Sequence, residues 1–242
     1  MPETILKNLI EKYSTCNSYS DSGRVERFLQ VGEWMPEVPV ATFSHQFMRP
    51  GYFKAKYRSL DNGNNHDHIV LADGDSLRLF RSLDGELLST ELEKDMARAA
   101  TSYTGVSNGQ LPFMLGLLIP DQLPDSKVNL TLLTAVERKN DEEIIGLDCF
   151  HLSGMLNEMV LGIWIDKSQG NLVKSERILI ESDEKRKERI EIMTMIHKES
   201  EDETELLEET FSANATVRFI YHYDKVVFND SMTIESLLDL TE

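Results

Sequence analysis

His66-Asp67-His68 has the clearest metal-like spacing in this sequence. On a strand the two imidazoles would share one face, but no third ligand is evident, and zinc sites take at least three protein ligands. Beside a turn, the triplet reads as a polar strand edge. His45 stands between Phe43 and Phe47 at a spacing of two, so it shares their strand face and is expected to be a partnered core histidine rather than a base. Asp73-Gly74-Asp75 reads as a turn. The run Glu199–Glu209 is acidic at seven of eleven positions but lacks the spaced Asp/Asn–Gly loop of a calcium site, so it reads as a solvated face. No G-x-S-x-G, P-loop or G-x-G-x-x-G occurs, and neither Cys16 nor Cys149 lies in a catalytic phrase. No catalytic residue, metal site or cofactor is therefore expected, and the chain reads as a binding protein rather than an enzyme.

The balance of charge narrows the partners. Forty-two acidic residues against 25 basic ones give a formal charge of -17. Such a chain is repelled by nucleic acid and by anionic surfaces. No stretch approaches the roughly 18 apolar residues of a membrane span. The opening "MPETILKNLIEKYS" carries charge throughout and lacks the apolar h-region of a signal peptide. Two cysteines are too few for a disulfide framework, and whether they pair is open.

The elements that position these residues follow from periodicity. Ile5, Leu6, Leu9, Ile10 and Tyr13 recur at helical spacing, predicting a helix over about 4–15. From Tyr19 the period becomes two. Residues 31–39 read as a proline-rich loop, and Ala41, Phe43, His45 and Phe47 then share one strand face. Phe53, Ala55 and Tyr57 oppose Lys54, Lys56 and Arg58, as in a half-solvated antiparallel strand. Asn62-Gly63, Asp73-Gly74 and Asp84-Gly85 are hairpin turn signals. Together these predict a meander of five or six strands. Ser89–Tyr103 places Leu92, Met96 and Ala99 at helical spacing, and "GQLPFMLGLLIP" (Gly109–Pro120) reads as a short buried helix. Strands resume with Leu130, Leu132, Thr134 and Val136 on one face, then Ile144–Leu152, Glu158–Asp166 and residues 171–182. Glu158–Asp166 is apolar on both faces and is expected to be covered on both. Residues 182–209 fit either a strand or a helix; Ala215–Phe228 is the last clear strand, and "MTIESLLDL" closes as a short turn.

This order resembles the LolA/LolB-like lipoprotein carriers and their DUF2092-type relatives. "ILKNLIEKYSTCNSYSDSGRV" is similar to their leading helix and first strand, and "FSHQFMRPGYFKAKYRS" to a strand–Arg-Pro–strand hairpin in which Arg49 is the nearest match to the hairpin arginine. "LDCFHLSG", "LGIWIDKSQGNLVKSERI" and the closing "VRFIYHYDKVVFND" continue the likeness over nearly the whole chain. The resemblance implies one mainly β domain over 1–242: an unclosed antiparallel barrel of about eleven strands, with the N-terminal helix and a helical lid over about 90–119 covering its concave face. It implies a cell-envelope setting and a lipid, or the acyl chain of a lipoprotein, as ligand. On that reading the ligand would meet Phe43, Phe47, Phe53 and Tyr57 in the meander and Leu111, Met114, Leu115 and Leu118 in the lid. Trp164, Phe219 and Tyr221 would complete the lining. The alternative is a solid-cored module whose edge or loops bind an envelope protein. The chain departs from the carriers in its acidic segment and its long 31–39 loop.

Overall fold

The computed structural model describes residues 1–31, 37–60, 67–74, 77–83, 86–92, 107, 109–123, 129–157, 159–180, 184, 187 and 215–240. Helix α1 (Pro2–Thr15) leads into six strands: β1 (Ser18–Val31), β2 (Glu37–Met48), β3 (Tyr52–Ser59), β4 (Asp67–Asp73), β5 (Leu77–Leu83) and β6 (Glu86–Leu92). Helix α2 (Gln110–Leu118) and two short 3-10 turns precede β7 (Thr134–Arg138), β8 (Glu142–Ile144), β9 (Leu147–Leu156), β10 (Met159–Asp166), β11 (Leu172–Ile180) and β12 (Ala215–Phe228). A last helix, α3 (Ile234–Leu238), follows.

All of the strands join one antiparallel sheet in the order β6-β5-β4-β3-β2-β1-β12-β11-β10-β9-β7, with β8 paired to β9 beside that path. Among the described residues nothing pairs β6 with β7, so the sheet is an unclosed half-barrel. The long β1–β12 ladder, from Tyr19↔Phe228 to Val31↔Ala215, joins the meander to the second half. Register shifts at Ser22/Gly23, Val25/Glu26 and Trp164/Ile165 add local bend and twist. Pro39 sits opposite Glu26 beside the second of these shifts, where a missing N–H is tolerated. Gly23 is required at its position: a Cβ there would lie 1.8 Å from the His222 carbonyl oxygen.

Alternation along the strands sorts side chains between two faces. Val25, Phe43, Phe47, Phe53, Tyr57 and Leu79 from the meander share one buried cluster with Leu152, Ile163, Leu172 and Tyr223 from the second half. Helices α1 and α2 contribute Leu6, Leu9, Tyr13 and most of α2 to the same cluster. That shared cluster marks the concave side. On the convex side Leu237 of α3 packs with Ile69, Leu71 and Phe80, and Lys54 is buried there, its ammonium donating to the Asp239 carbonyl oxygen. The half-solvated face expected for β3 is therefore covered in part by the C-terminal segment.

Several sequence expectations need correction. Ser89–Leu92 is strand, not the start of a helix, because it pairs with β5 from Leu77↔Leu92 to Leu83↔Glu86; the rest of the predicted helix, 93–103, lies outside the described residues. Glu37–Pro39 belongs to β2 rather than to a loop, and 32–36 lie outside the described residues. Leu130–Leu132 is a 3-10 turn, not strand, because the Asn129 side chain accepts from Thr131 N–H and winds the chain there. Residues 144–152 are not one strand: Ile145 and Gly146 turn β8 back on β9 with φ of 53° and 77°. A β-branched residue in the left-handed region is disfavoured, and Ile145 is also 66% exposed. Ile145→Asn is expected to raise stability by about 1 kcal/mol, read as a higher urea midpoint with an unchanged slope.

Asp141, between β7 and β8, ties this hairpin to the β10–β11 turn. Its carboxylate accepts from Arg138 at 2.6 Å and from Lys167 at 2.7 Å. Arg138, then Lys167, holds the carboxyl at about 2. Its folded value is below the unfolded one, so the stabilisation is present above about pH 4 and is lost as pH falls through about 2. An NMR titration of the Asp141 carboxyl is expected to give a midpoint near 2, rising in Arg138→Gln.

Candidate functional site: the covered concave face

Helix α2, together with α1, covers the concave face among the described residues. All nine of its residues, "QLPFMLGLL", are buried. A helix this short has little stability of its own, and Pro112 and Gly116 lower it further. It therefore owes its form to burial. Leu111, Met114, Leu115 and Leu118 all join the concave cluster, as do Phe43, Phe47, Phe53, Tyr57 and Tyr221. Phe219 is partly buried against it. Trp164 is not with them. It packs with Cys149 and Val173 in a separate cluster, the ring of His151 stacked on it at 4.1 Å and Lys174 Nζ 4.1 Å from its centroid. β10 is apolar on both faces as expected, but only Leu161, Ile163 and Ile165 of this strand join the concave cluster.

Polar contacts hold α2 at both ends. At its start Gln110 Nε2 donates to the Tyr223 hydroxyl at 3.2 Å, and Ser175 Oγ lies 3.4 Å from that oxygen. Gly109 (φ 79°) lies against the Arg177 guanidinium, where a Cβ would come within 2.4 Å. Burial pushes Arg177 down to about 10, so it remains a cation at neutral pH, 4.7 Å from the Tyr221 ring. At the other end stands Arg49. Its Nε donates to the Cys16 carbonyl at 2.8 Å, and its terminal nitrogen donates to the carbonyls of Leu118, at 2.9 Å, and Ser14. Ser14 lies in the last turn of α1 and Leu118 closes α2, where orphan carbonyls need donors. One guanidinium thus binds both covering helices to the β2–β3 turn.

The concave side of β1–β3 also carries a polar chain. Asp21 Oδ1 accepts from the His45 backbone N–H at 3.0 Å and lies 2.6 Å from His45 Nδ1. His45 Nε2 is 2.6 Å from the Tyr57 hydroxyl, and Tyr19 donates to Asp21 Oδ2 at 2.7 Å. His45 is fully buried and partnered, as the sequence led us to expect. Burial, then the Asp21 charge, pushes the Tyr19 and Tyr57 phenols well above their usual range, so both stay protonated donors. The carboxylate, imidazole and phenol are sealed from solvent here, and they link β1, β2 and β3 in register. Asp21 carried one sequence signal: it is an acid at the inward parity of Tyr19 and Val25.

A cleft of about 250 Å³ opens between α1 and the β10–β11 turn. Ile5, Leu9, Phe150 and Ile165 form its apolar wall, and all four belong to or pack against the concave cluster. Lys12 crosses it, donating to the Gln169 carbonyl at 2.6 Å and to Asn171 Oδ1 at 2.5 Å.

The other expected features fall elsewhere. Asp67 accepts two bonds from Arg58, at 2.7 and 2.9 Å, while His66 lies outside the described residues. Cys16 and Cys149 are both free and buried, in different clusters. The acidic run 199–209 lies outside the described residues. Among the described residues, no helix is long and apolar enough to cross a membrane.

No family model matches the chain, and no curated protein matches it by sequence. Solved structures do. The lipoprotein LppX of Mycobacterium tuberculosis is similar at 9% identity and a TM-score of 0.48, over 96% of this chain and 97% of that one. LprF from Mycobacterium bovis is similar at 10% identity and a TM-score of 0.44, over 96% and 95%. A LolA superfamily protein from Nitrosomonas europaea is similar at 10% identity and a TM-score of 0.33, over 98% and 97%.

Proposed function

We propose that the protein is a non-enzymatic binder of a single hydrophobic ligand, a lipid or the acyl chain of a lipoprotein, held between the sheet and its covering helices. One observation carries this reading. Helix α2 is buried along its whole length and apolar after Gln110, yet it is fixed by a few polar contacts at its ends rather than by a capping side chain. It occupies the concave face much as a ligand would. Each methylene an acyl chain buries there yields about 0.8 kcal/mol, so a chain of modest length can replace the contacts α2 gives up. The cleft beside α1 offers a route from solvent to the same apolar residues. Its setting is extracytoplasmic, as the resemblance to LolA-type carriers implies.

A second reading has its own support. The concave residues are packed against one another, with Phe43 and Tyr223 ring centroids 5.5 Å apart and His45 stacked on Phe53 at 6.0 Å. That density suits a solid-cored module that binds an envelope protein. Titration with a fluorescent fatty acid separates the two. The carrier reading expects saturable binding of one probe per chain, tightened in Leu115→Asp because a charge in α2 weakens the packing the ligand must displace, with a circular dichroism spectrum reporting that this variant folds. A solid core would take up no probe.

A further inference from the structure

We propose that the convex face carries a second site, which binds a phosphate-class anion between Lys56 and Lys225. The sheet register builds it. Lys225 of β12 stands opposite Ser22 of β1, Ser22 opposite Ser44 of β2, and Ser44 opposite Lys56 of β3. The row Lys225–Ser22–Ser44–Lys56 thus runs straight across four strands. Its neighbours in sequence, Gly23, Phe43, Ala55 and Tyr57, are buried on the other face. With strands about 4.8 Å apart, the two lysine backbones stand about 14 Å apart. Their flexible four-carbon stems can lean inward over the two hydroxyls.

The row lines a cleft of about 280 Å³. Its form follows from side-chain length. Ser20, Ser22 and Ser44 make a low floor, and Gln46, Lys54, Lys56 and Lys225 stand around it. Lys54 closes one side, already donating to the Asp239 carbonyl. Lys56 has a loose pairing to Asp67, at 3.8 Å, which leaves ammonium donors to spare. Among the described residues no carboxylate pairs with Lys225. Asp21 and His45 border the floor, but their side chains are committed to each other on the inner face. Two ammonium groups flanking two hydroxyl donors suit a tetrahedral oxyanion, which offers several charged acceptors at once. The chain's net charge of -17 repels anions at long range, so retention rests on this row. The site is separate from the concave one, and the two readings stand or fall independently.

Two-dimensional amide NMR on the full chain tests it, with inorganic phosphate titrated against sodium chloride of equal ionic strength. The expected result is saturable movement of the Ser22 and Ser44 amides, at least tenfold weaker in Lys56→Gln/Lys225→Gln, whose melting temperature without phosphate matches that of the parent. Glycerol 3-phosphate and phosphatidylglycerol vesicles form further arms. Binding of both assigns a lipid headgroup, and binding of inorganic phosphate without them assigns the free ion. Equal responses in parent and variant, or none beyond that to chloride, would overturn the proposal.

Discussion

Arg49→Ala is expected to lower stability by about 3 kcal/mol, since hydrogen bonds to a charged donor are worth about 1.5–3 kcal/mol. The guanidinium serves the Ser14, Cys16 and Leu118 carbonyls at once. Its loss leaves the ends of α1 and α2 without a shared donor. Sequence-local structure cannot compensate, because α2 is nine residues long and contains a glycine and a proline. Arg49→Lys is expected to recover only part of the loss, because an ammonium lacks the planar fork that reaches three carbonyls. Opening is also favoured in Arg49→Ala, so its affinity for an acyl chain should rise: less of the binding energy goes into displacing α2. Denaturant unfolding and fluorescent fatty-acid titration read the two effects. A stability change below about 1 kcal/mol, with unchanged affinity, would show that Arg49 does not fasten the helices.

Asp21→Ala is expected to cost about 4 kcal/mol, since hydrogen bonds to a carboxylate are worth about 1.5–3 kcal/mol each and more than one is lost. The carboxylate satisfies the His45 backbone N–H, His45 Nδ1 and the Tyr19 hydroxyl. With Nδ1 as donor, Nε2 is left to accept from Tyr57. Truncation leaves these donors in an apolar interior with nothing to receive them. The affected strands are β1, β2 and β3, and β1 also carries the ladder to β12. A domain with total stability of about 5–15 kcal/mol would lose a large part of it. Asp21→Asn keeps an acceptor oxygen and should lose less. Urea unfolding of the three proteins gives the ranking; equal stability of parent and Asp21→Ala would remove the network from the account of the fold.

The meander was legible from its period-two strands and from the Asp73-Gly74 signal, where Gly74 takes a φ of 93°; Asn62-Gly63 and Asp84-Gly85 lie outside the described residues. The β8–β9 hairpin was hidden because Ile145 stands where an Asn or Asp is usual. Ser89–Leu92 looked helical because Leu92 and Met96 share helical spacing, but pairing with β5 decided its form. Helix α2 was legible as a short buried helix from its continuous apolar run. Trp164 was misassigned for a physical reason: a strand apolar on both faces gives no sign of which face turns inward. Arg49 was visible as a hairpin residue, whereas its reach to Ser14 and Leu118 is a long-range contact that no local pattern encodes. The Asp21–His45–Tyr57 chain needed three strands in register before it existed at all.

Hydrogen exchange at the amides of Leu111–Leu118, measured with and without a bound fatty acid, tests most directly whether α2 and the ligand compete for the concave face. Displacement predicts that these amides exchange faster in the complex while those of β2 and β3 stay protected. Protection of α2 that is unchanged or increased by the fatty acid would contradict the account.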